Sequence, residues 1–190
     1  FHTNMNQIGG VRYDLKPEVV KKIESLIKHL RPILEDYYDM ISNDQIFIKR
    51  TKDIGIISKE LVQESGGSGP VSRGSGIDFD LRRNKPYECY KEFDFDIPIG
   101  KNGDAYDRTL VRMKENVESL RIVEQIIEGL PSGDLSTRKP LKSAKLTRPP
   151  KGSSYFSVES PRGELGFFIV SDGSSIPYRM KIRAPSFSNL

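Results

Sequence analysis

The apolar residues of this sequence change their spacing once along the chain, and this change constrains the fold more than any other feature. From Asp14 they recur every three or four residues, the period of an amphipathic helix, and from Ser153 they alternate, the period of a strand. The first helical stripe consists of Val20, Ile23, Ile27, Leu30, Leu34, Tyr37 and Ile41. The sequence therefore predicts an α+β fold, a bundle of long helices followed by a small antiparallel β-sheet.

Capping and proline signals predict the helix boundaries. Pro17 suits a first helical turn, whereas Pro32 lies inside the apolar pattern and predicts a kink or two helices in succession. Two short helices are expected next, one in "NDQIFIKRTKDIG" and one capped by Ser58. Asp104 begins a second long helix, whose predicted buried residues are Leu110, Met113, Val117, Leu120, Val123 and Ile127.

Three regions are expected along the chain. Residues 1–131 form the helical part and contain a glycine-rich loop at 65–76. Residues 132–152 form a basic linker that contains prolines, and residues 153–190 form the sheet. The sequence begins without an initiator methionine, so we expect one domain cut from the middle of a longer subunit.

The composition excludes several classes of protein. A single cysteine, Cys89, allows no internal disulfide, no four-thiolate cluster and no cysteine-rich zinc site from this sequence alone. No run of about 18 apolar residues is present, so no transmembrane segment is predicted. The net charge of +4 is mild, and aromatic residues do not alternate with the charges of the linker. We therefore expect a solvated or partner-facing tether and no nucleic acid.

The stretch "SGGSGPVSRGSG" has the glycine density of a phosphate-binding loop. Gly69 and Gly74 have the Walker spacing, but Ser75 and Gly76 stand where that motif needs lysine and a hydroxyl residue. "IDFDLRR" after it does not read as the helix that a dinucleotide fingerprint requires. The alternatives are a surface loop that uses glycine for positive φ, or a loop held against a partner with Arg73 reaching across the interface.

Other polar residues give weaker signals. His29 lies beside the apolar stripe and is expected on the helix surface, and no metal site is predicted. The alternation of four acids with apolar residues is compatible with a cation site, but one wet strand face is the favoured interpretation. These acids are Asp78, Asp80, Asp94 and Asp96.

"VESPRGELG" places an arginine between two predicted strands. Pro161 and Gly163 flank Arg162, and Glu159 and Glu164 lie close by in the sequence. A β-turn would hold the guanidinium in a fixed position, either as a surface turn with an ion pair or as a functional charge.

Several longer motifs occur in one order: "GGVRYDL", "SRGSGIDFDLR", "YDRTLVRMKE" and "VESPRGELGFFIVSDGSSIPYRMKIRAPSFSNL". Together they resemble the D subunits of NADH-quinone oxidoreductases, the complex I subunits related to the large subunit of nickel–iron hydrogenases. The resemblance covers nearly the whole chain apart from the linker. It implies a hydrogenase-large-subunit-like fold.

The resemblance also implies roles for individual residues. In nickel–iron hydrogenases an arginine of a similar "ESPRG" motif overhangs the metal centre, and Arg162 is the matching position. In quinone-reducing relatives without that metal, Arg162 would lie at the quinone cavity or stabilise its wall. Glu159, Pro161 and Gly163 are candidate cofactor-binding neighbours. The "RGSG" segment, formed by Arg73, Gly74, Ser75 and Gly76, would shape its loop and contact a partner.

The function implied is that of a core part of a membrane-associated NADH:quinone oxidoreductase, a translocase of the respiratory chain. Electrons would come from an iron–sulfur cluster in a partner subunit and pass to quinone, and this chain alone would bind no cofactor. The other partners would be peripheral-arm and membrane subunits, at the cytoplasmic face of the plasma membrane or on the matrix side of a mitochondrial inner membrane. We expect the isolated chain to be inactive and to expose apolar surface.

Two alternatives belong to other classes. The first is the large subunit of a membrane-bound nickel–iron hydrogenase, which would have cysteine pairs in the flanking sequence. The second is a basic binding module without a redox role, which salt-sensitive binding of nucleic acid would favour.

Overall fold

The computed structural model describes residues 6–7, 9–135 and 148–189. A short hairpin of two strands comes first, the long helices follow, and a three-stranded sheet comes after them, which agrees with the α+β prediction. The helices are α1 (Pro17–Asn43), α2 (Gln45–Thr51), α3 (Lys59–Ser65), α4 (Pro70–Gly74), α5 (Leu81–Asn84), α6 (Ala105–Glu128) and α7 (Pro185–Ser188). The strands are β1 (Asn6–Gln7), β2 (Gly10–Val11), β3 (Gly152–Ser160), β4 (Gly163–Ser171) and β5 (Arg179–Arg183).

The two long helices, α1 and α6, pack against each other in opposite directions. Near the end of α1, the Ser42 carbonyl accepts a hydrogen bond of 3.0 Å from Tyr106 Oη at the start of α6. Near the middle of α1, Arg31 Nη2 lies 2.5 Å from Glu124 Oε2 in the last third of α6. These two contacts fix the antiparallel arrangement.

Helix α1 runs without interruption through Pro32. The prediction of two successive helices at this residue is therefore wrong. Pro32 is exposed. Water can consequently hydrogen-bond to the Lys28 carbonyl, which loses its helical donor at a proline four residues later.

Helix α6 begins as predicted, because the Asp104 side chain caps it by accepting a hydrogen bond from Asp107 N at 2.8 Å. Its predicted apolar face is half-buried, and the most buried residues are Val111 and Ile122, on a different face. The reason is that α6 packs on two sides, with α1 on one and α4 on the other. The predicted apolar stripe accounts for only one of these two contacts, and the residues that pack on the other side of α6 lie outside it.

The glycine-rich segment is the main departure from the predicted fold. Residues 70–75 are buried and include α4, so the prediction of a surface loop is wrong. Their polar groups are satisfied internally: Ser75 Oγ donates to Ile57 O at 2.7 Å, and Gly100 N donates to Arg73 O at 2.9 Å. Part of "IDFDLRR" is also helical, because Asp80 caps α5 by accepting from Arg82 N.

The predicted small sheet is confirmed as three antiparallel strands in the order β3-β4-β5. Phe156 lies opposite Phe167, which lies opposite Ile182, and Ile169 lies opposite Met180. Because side chains alternate between the faces of a strand, these five share one face, which we call the apolar sheet face. All five are exposed in this chain.

The turn between β3 and β4 packs against the segment before α4. Ser68 Oγ accepts a hydrogen bond from Glu164 N at 3.0 Å, and Ser68 N donates to Asn189 Oδ1 at 3.0 Å. Asn189 Nδ2 in turn donates to Arg162 O at 2.7 Å. Helices and sheet are thus joined at this point.

The predicted linker falls mostly outside the described residues, because 136–147 are not among them. The division into 1–131, 132–152 and 153–190 stays a prediction. Within the described ranges, no helix combines the length and apolar character needed to span a membrane.

Candidate functional site

Arg162 lies where the sequence predicts it, in the two-residue turn that joins β3 to β4. Ser160 Oγ donates to Gly163 O at 2.7 Å and closes the turn. Gly163 is buried and has a φ of 124°, a conformation that favours glycine. The Arg162 side chain is exposed, and its Nη1 donates to Ser186 Oγ at 3.2 Å. The guanidinium is therefore presented at the surface.

The nearby glutamates do not pair with Arg162. Glu164 pairs with Arg183 at 3.4 Å, and Glu159 turns inward to Arg73. Among the described residues, Arg162 forms no ion pair, so the interpretation of a surface turn held by an ion pair is wrong. The reason is that β3 directs Glu159 to the face that packs against the helices.

Glu159 belongs to a group of five charged side chains that we call the buried ion cluster. Two are arginines and three are carboxylates: Arg73 of α4, Asp80 and Arg82 at α5, Glu115 of α6 and Glu159 of β3. Their side chains are between 0% and 15% exposed. The cluster thus lies where three helices meet the sheet.

Arg73 is the centre of the buried ion cluster. Its Nε donates to Glu115 Oε1 at 2.6 Å, and its Nη1 donates to Glu159 Oε1 at 3.0 Å. The same Nη1 lies 3.2 Å from Asp80 Oδ2 and 3.1 Å from the carbonyl of Phe79. The planar guanidinium therefore connects one residue in each of three elements.

The three carboxyls differ electrostatically. Burial acts to raise the pKa of Asp80, but the hydrogen bonds and charge of Arg82 and the charge of Arg73 outweigh it, so this pKa is lowered. Burial raises the pKa of Glu115 and of Glu159, and the attraction of Arg73 offsets this only in part. Burial acts to lower the pKa of Arg82, but Asp80 raises it overall.

The interface role predicted for the "RGSG" segment is wrong for three of its residues. Arg73, Gly74 and Ser75 are buried within this chain and cannot present a surface to a partner. Gly74 lies against α6 so closely that an added Cβ would lie 2.7 Å from Arg108 Cγ. Gly76 is half-buried with a φ of 80°, and its contact with a partner stays a prediction.

Sequence reasoning missed Asp80, Arg82 and Glu115 as members of a site. The signal for Asp80 is its position directly before Leu81-Arg82, where an aspartate caps a short helix. Glu115 lies on the same helical face as the buried Val111 and Ile122, at spacings of four and seven residues. A charged residue within an apolar face indicates a buried partner.

The prediction of a wet strand face for the alternating acids is wrong. Asp80 is buried in the cluster, whereas Asp94 and Asp96 are exposed and pair with Arg121. The segment around them contains turns and a 3₁₀ helix at Tyr90–Glu92 and no strand between residues 66 and 104. No group of three or more potential metal ligands is found in the described part of the chain.

The buried ion cluster borders a cavity of about 1320 Å³. Glu159 and Tyr87 line this cavity together with the β1–β2 hairpin and the carboxyl end of α6. Tyr87 Oη accepts a hydrogen bond from Glu159 N at 3.0 Å. Burial raises the pKa of Tyr87 to about 12, so the phenol stays protonated at neutral pH. The cavity wall next to the cluster is therefore formed by a phenol and a buried carboxyl.

This arrangement of helices and sheet is similar to that of a chain in a respiratory membrane complex. A chain in the structure of the membrane-bound sulfane sulfur reductase (MBS), described as an archaeal respiratory membrane complex, is similar with a TM-score of 0.88 and 36% sequence identity. The similarity covers 95% of this chain and 49% of that one.

The chain belongs to the family described as respiratory-chain NADH dehydrogenase, 49 Kd subunit, whose model matches residues 1–148 and 136–190. It is 44% identical to the NADH-quinone oxidoreductase D 1 subunit of Roseiflexus sp. (strain RS-1), over 98% of this chain and 51% of the relative. It is 45% identical to the corresponding D subunit of Desulfotalea psychrophila (strain LSv54 / DSM 12343), over 97% and 49%. The chain thus spans about half the length of these relatives. The resemblance drawn from the sequence motifs is confirmed.

Proposed function

We propose that this chain forms the central part of the catalytic core of a membrane-associated NADH-quinone oxidoreductase. The observation that carries this proposal is the family match over residues 1–148 and 136–190, together with relatives named as D subunits of that enzyme at 44% and 45% identity. These relatives favour a quinone reductase over the nickel–iron hydrogenase alternative.

In this proposal the electrons reach quinone from an iron–sulfur cluster of a partner subunit. The sequence has one cysteine, Cys89, so a cluster held by four thiolates needs ligands from outside this sequence. The contribution of the chain is then to shape the quinone cavity and to set its electrostatic potential.

The exposed apolar surface supports a role as a subunit. The apolar sheet face presents five large side chains on three adjacent strands, and contiguous apolar surface of this kind marks a contact with another protein segment. We assign the complementary surface to the rest of the subunit or to a neighbouring subunit of the peripheral arm. The location proposed is the cytoplasmic face of the plasma membrane, or the matrix side of an inner mitochondrial membrane.

Arg162 is the proposed functional charge of this chain. It is exposed, its backbone is fixed by the buried Gly163 and by Asn189, and its guanidinium is free of any carboxylate partner among the described residues. A fixed cation at the quinone cavity would stabilise an anionic reduced headgroup. The three candidate cofactor-binding neighbours have other positions. Glu159 lies in the buried ion cluster, and Pro161 and Gly163 form part of the turn.

The test is to replace Arg162 in the complete parent complex. We expect Arg162→Ala to lower NADH:quinone activity at least tenfold, while Arg162→Lys retains part of it and NADH oxidation by an artificial acceptor stays normal. Arg179→Ala is the matched control, since Arg179 is an exposed arginine of the same sheet. An Arg162→Ala complex that assembles normally and reduces quinone at the full rate would contradict the role of Arg162.

The substrate class needs its own measurement, because the similar MBS chain belongs to a complex named for sulfane sulfur reduction. The parent complex should reduce quinone with NADH as donor, and the isolated 190-residue chain should be inactive. Reduction of a polysulfide without reduction of quinone would overturn the proposed substrate. Quinone reduction by the purified chain would overturn the requirement for partners.

A further inference from the structure

The charges of the buried ion cluster do not balance. With all five groups ionised, Arg73 and Arg82 supply two positive charges, and Asp80, Glu115 and Glu159 supply three negative ones. The net charge of one negative unit lies among side chains that are at most 15% exposed. An uncompensated charge in such a place is strongly unfavourable, and a carboxyl can neutralise it by binding a proton.

The hydrogen bonds identify which carboxyls are suited to hold the proton. Asp80 accepts four hydrogen bonds: two from Arg82 side-chain nitrogens at 2.9 and 2.7 Å, one from Arg82 N at 2.9 Å and one from Arg73 at 3.2 Å. Bonds of this kind stabilise the charged form, so Asp80 is the permanent anion.

Glu115 and Glu159 have fewer donors. Among the described residues, Glu115 accepts one hydrogen bond, from Arg73 Nε, and Glu159 accepts two, from Arg73 Nη1 and from Leu81 N at 3.3 Å. Both glutamates accept from the single guanidinium of Arg73, and this guanidinium also donates to Asp80. These two carboxyls therefore compete for the hydrogen bonds of one guanidinium, and burial disfavours the charged form of both.

We propose that Glu115 and Glu159 together bind one proton over a pH range in which an exposed glutamate is ionised. The buried ion cluster is in this view a proton-binding site whose Glu159 side opens on the cavity beside Tyr87. The binding reaction is the addition of one proton to one carboxylate, and no other reactant takes part. The two groups titrate as a pair, because each changes the charge that the other one faces.

The groups that face the pair come from several elements. Arg73, Arg82 and Asp80 face both glutamates from α4 and α5, and Tyr87 lies next to Glu159 at the cavity wall. The pKa of Tyr87 is raised to about 12, so this phenol stays neutral throughout the range tested. The raised pKa of both glutamates agrees with the geometry. The inference depends on this chain alone and does not rest on quinone chemistry.

The direct measurement is carbon NMR of the chain with its glutamate side-chain carboxyls labelled, recorded from about pH 4 to about pH 8. We expect one carboxyl resonance to titrate at a distinctly higher pH than those of the exposed glutamates. Glu115→Gln and Glu159→Gln should each abolish this late titration, whereas Glu24→Gln, an exposed substitution in α1, should leave it unchanged. Titration of every carboxyl together at about pH 4 to 5 would overturn the proposal.

A second measurement remains informative if one variant fails to fold. A proton bound by the native state and absent from the unfolded state makes the unfolding equilibrium constant rise with pH, by up to about tenfold per pH unit between the unfolded and folded pKa values. As the pH rises, the free energy of unfolding of the wild-type chain should therefore fall relative to that of either glutamine variant. Parallel stability curves for wild type and both variants would contradict a bound proton.

Discussion

Gly69 and Gly163 meet backbone to backbone, so that a Cβ added to Gly69 would lie 2.5 Å from the Cα of Gly163. The reverse holds as well, because a Cβ at Gly163 would lie 2.5 Å from Ser68 Oγ and 2.8 Å from the Ser68 carbonyl carbon. Both glycines have positive φ, 68° and 124°. The contact joins the segment before α4 to the turn that carries Arg162, and it leaves no room for a side chain.

The first prediction concerns this contact. Gly163→Ala should reduce the free energy of unfolding by about 3 kcal/mol, because it adds both a steric clash and an unfavourable φ. Gly133→Ala is the control, since a Cβ there would have no neighbour within 4 Å. Urea unfolding monitored by circular dichroism measures both, and equal stability of the two variants would show that the junction relaxes freely.

The second prediction concerns Arg73. Arg73→Met should destabilise the fold by about 3–5 kcal/mol at about pH 8, since it leaves three buried carboxylates with Arg82 alone. The loss should be smaller at about pH 5, because protonation of Glu115 and Glu159 relieves the unpaired charge. Arg12→Met, at an exposed arginine, provides the control. Denaturant unfolding at the two pH values is the measurement, and a loss that is independent of pH would contradict the electrostatic cause.

Much of the fold follows from local signals in the sequence. Asp104 and Ser58 cap the helices that they are predicted to cap, and alternation within residues 153–190 predicts the three strands correctly. These features depend on neighbours a few residues away. The burial of α4 does not, because Arg73 is held by Glu115, 42 residues later, and by Glu159, 86 residues later.

The site is less predictable than the fold for the same reason. Arg162 can be identified from the turn residues around it, which are local. Asp80 is harder to identify, because the alternation of acids and apolar residues around it has the period of a strand and masks its position as the cap of a four-residue helix. Short buried helices carry little periodic signal, and long-range ion pairs decide their environment.

The third prediction concerns the Asp104 cap. The side chain is fully buried, its Oδ1 accepts from Asp107 N at 2.8 Å, and its Oδ2 accepts from Asp53 N at 2.9 Å. Asp104→Ala should cost about 2–3 kcal/mol, because it leaves two backbone donors unsatisfied. Asp44→Ala, which removes an exposed cap with one hydrogen bond to Ile46 N, should cost about 1 kcal/mol. Thermal unfolding compares the two, and an equal loss would contradict the second role of Asp104.

The fourth prediction concerns Tyr87, whose pKa burial raises to about 12. Tyrosinate absorbance in the near ultraviolet should reveal one of the eight tyrosines ionising about two pH units after an ordinary tyrosine. Because the native state keeps this proton longer than the unfolded state, stability should fall as the pH rises from about 10 to about 12. Tyr87→Phe should remove the late component. Its persistence in that variant would assign it to another tyrosine.

The last prediction concerns the apolar sheet face. Phe156, Met180 and Ile182 are each more than half exposed, and Phe167 and Ile169 lie between them on β4. The purified chain should therefore bind a hydrophobic dye in native buffer and increase its fluorescence. Phe156→Ser combined with Ile182→Thr should reduce that increase at least twofold, because it removes apolar area from both edges of the face.

The matched control for the sheet face is Ile176→Thr. Ile176 is 75% exposed but lies in the loop between β4 and β5, outside the apolar sheet face, so its replacement should leave dye binding unchanged. In the complete complex, the double substitution should lower the yield of assembled particles, whereas the control should not. If the wild-type chain does not increase the fluorescence of the dye in native buffer, the apolar sheet face is not accessible. Normal assembly of the double variant would show that the apolar sheet face is not a contact surface. A contact surface that lost two large apolar side chains would bind its partner less tightly.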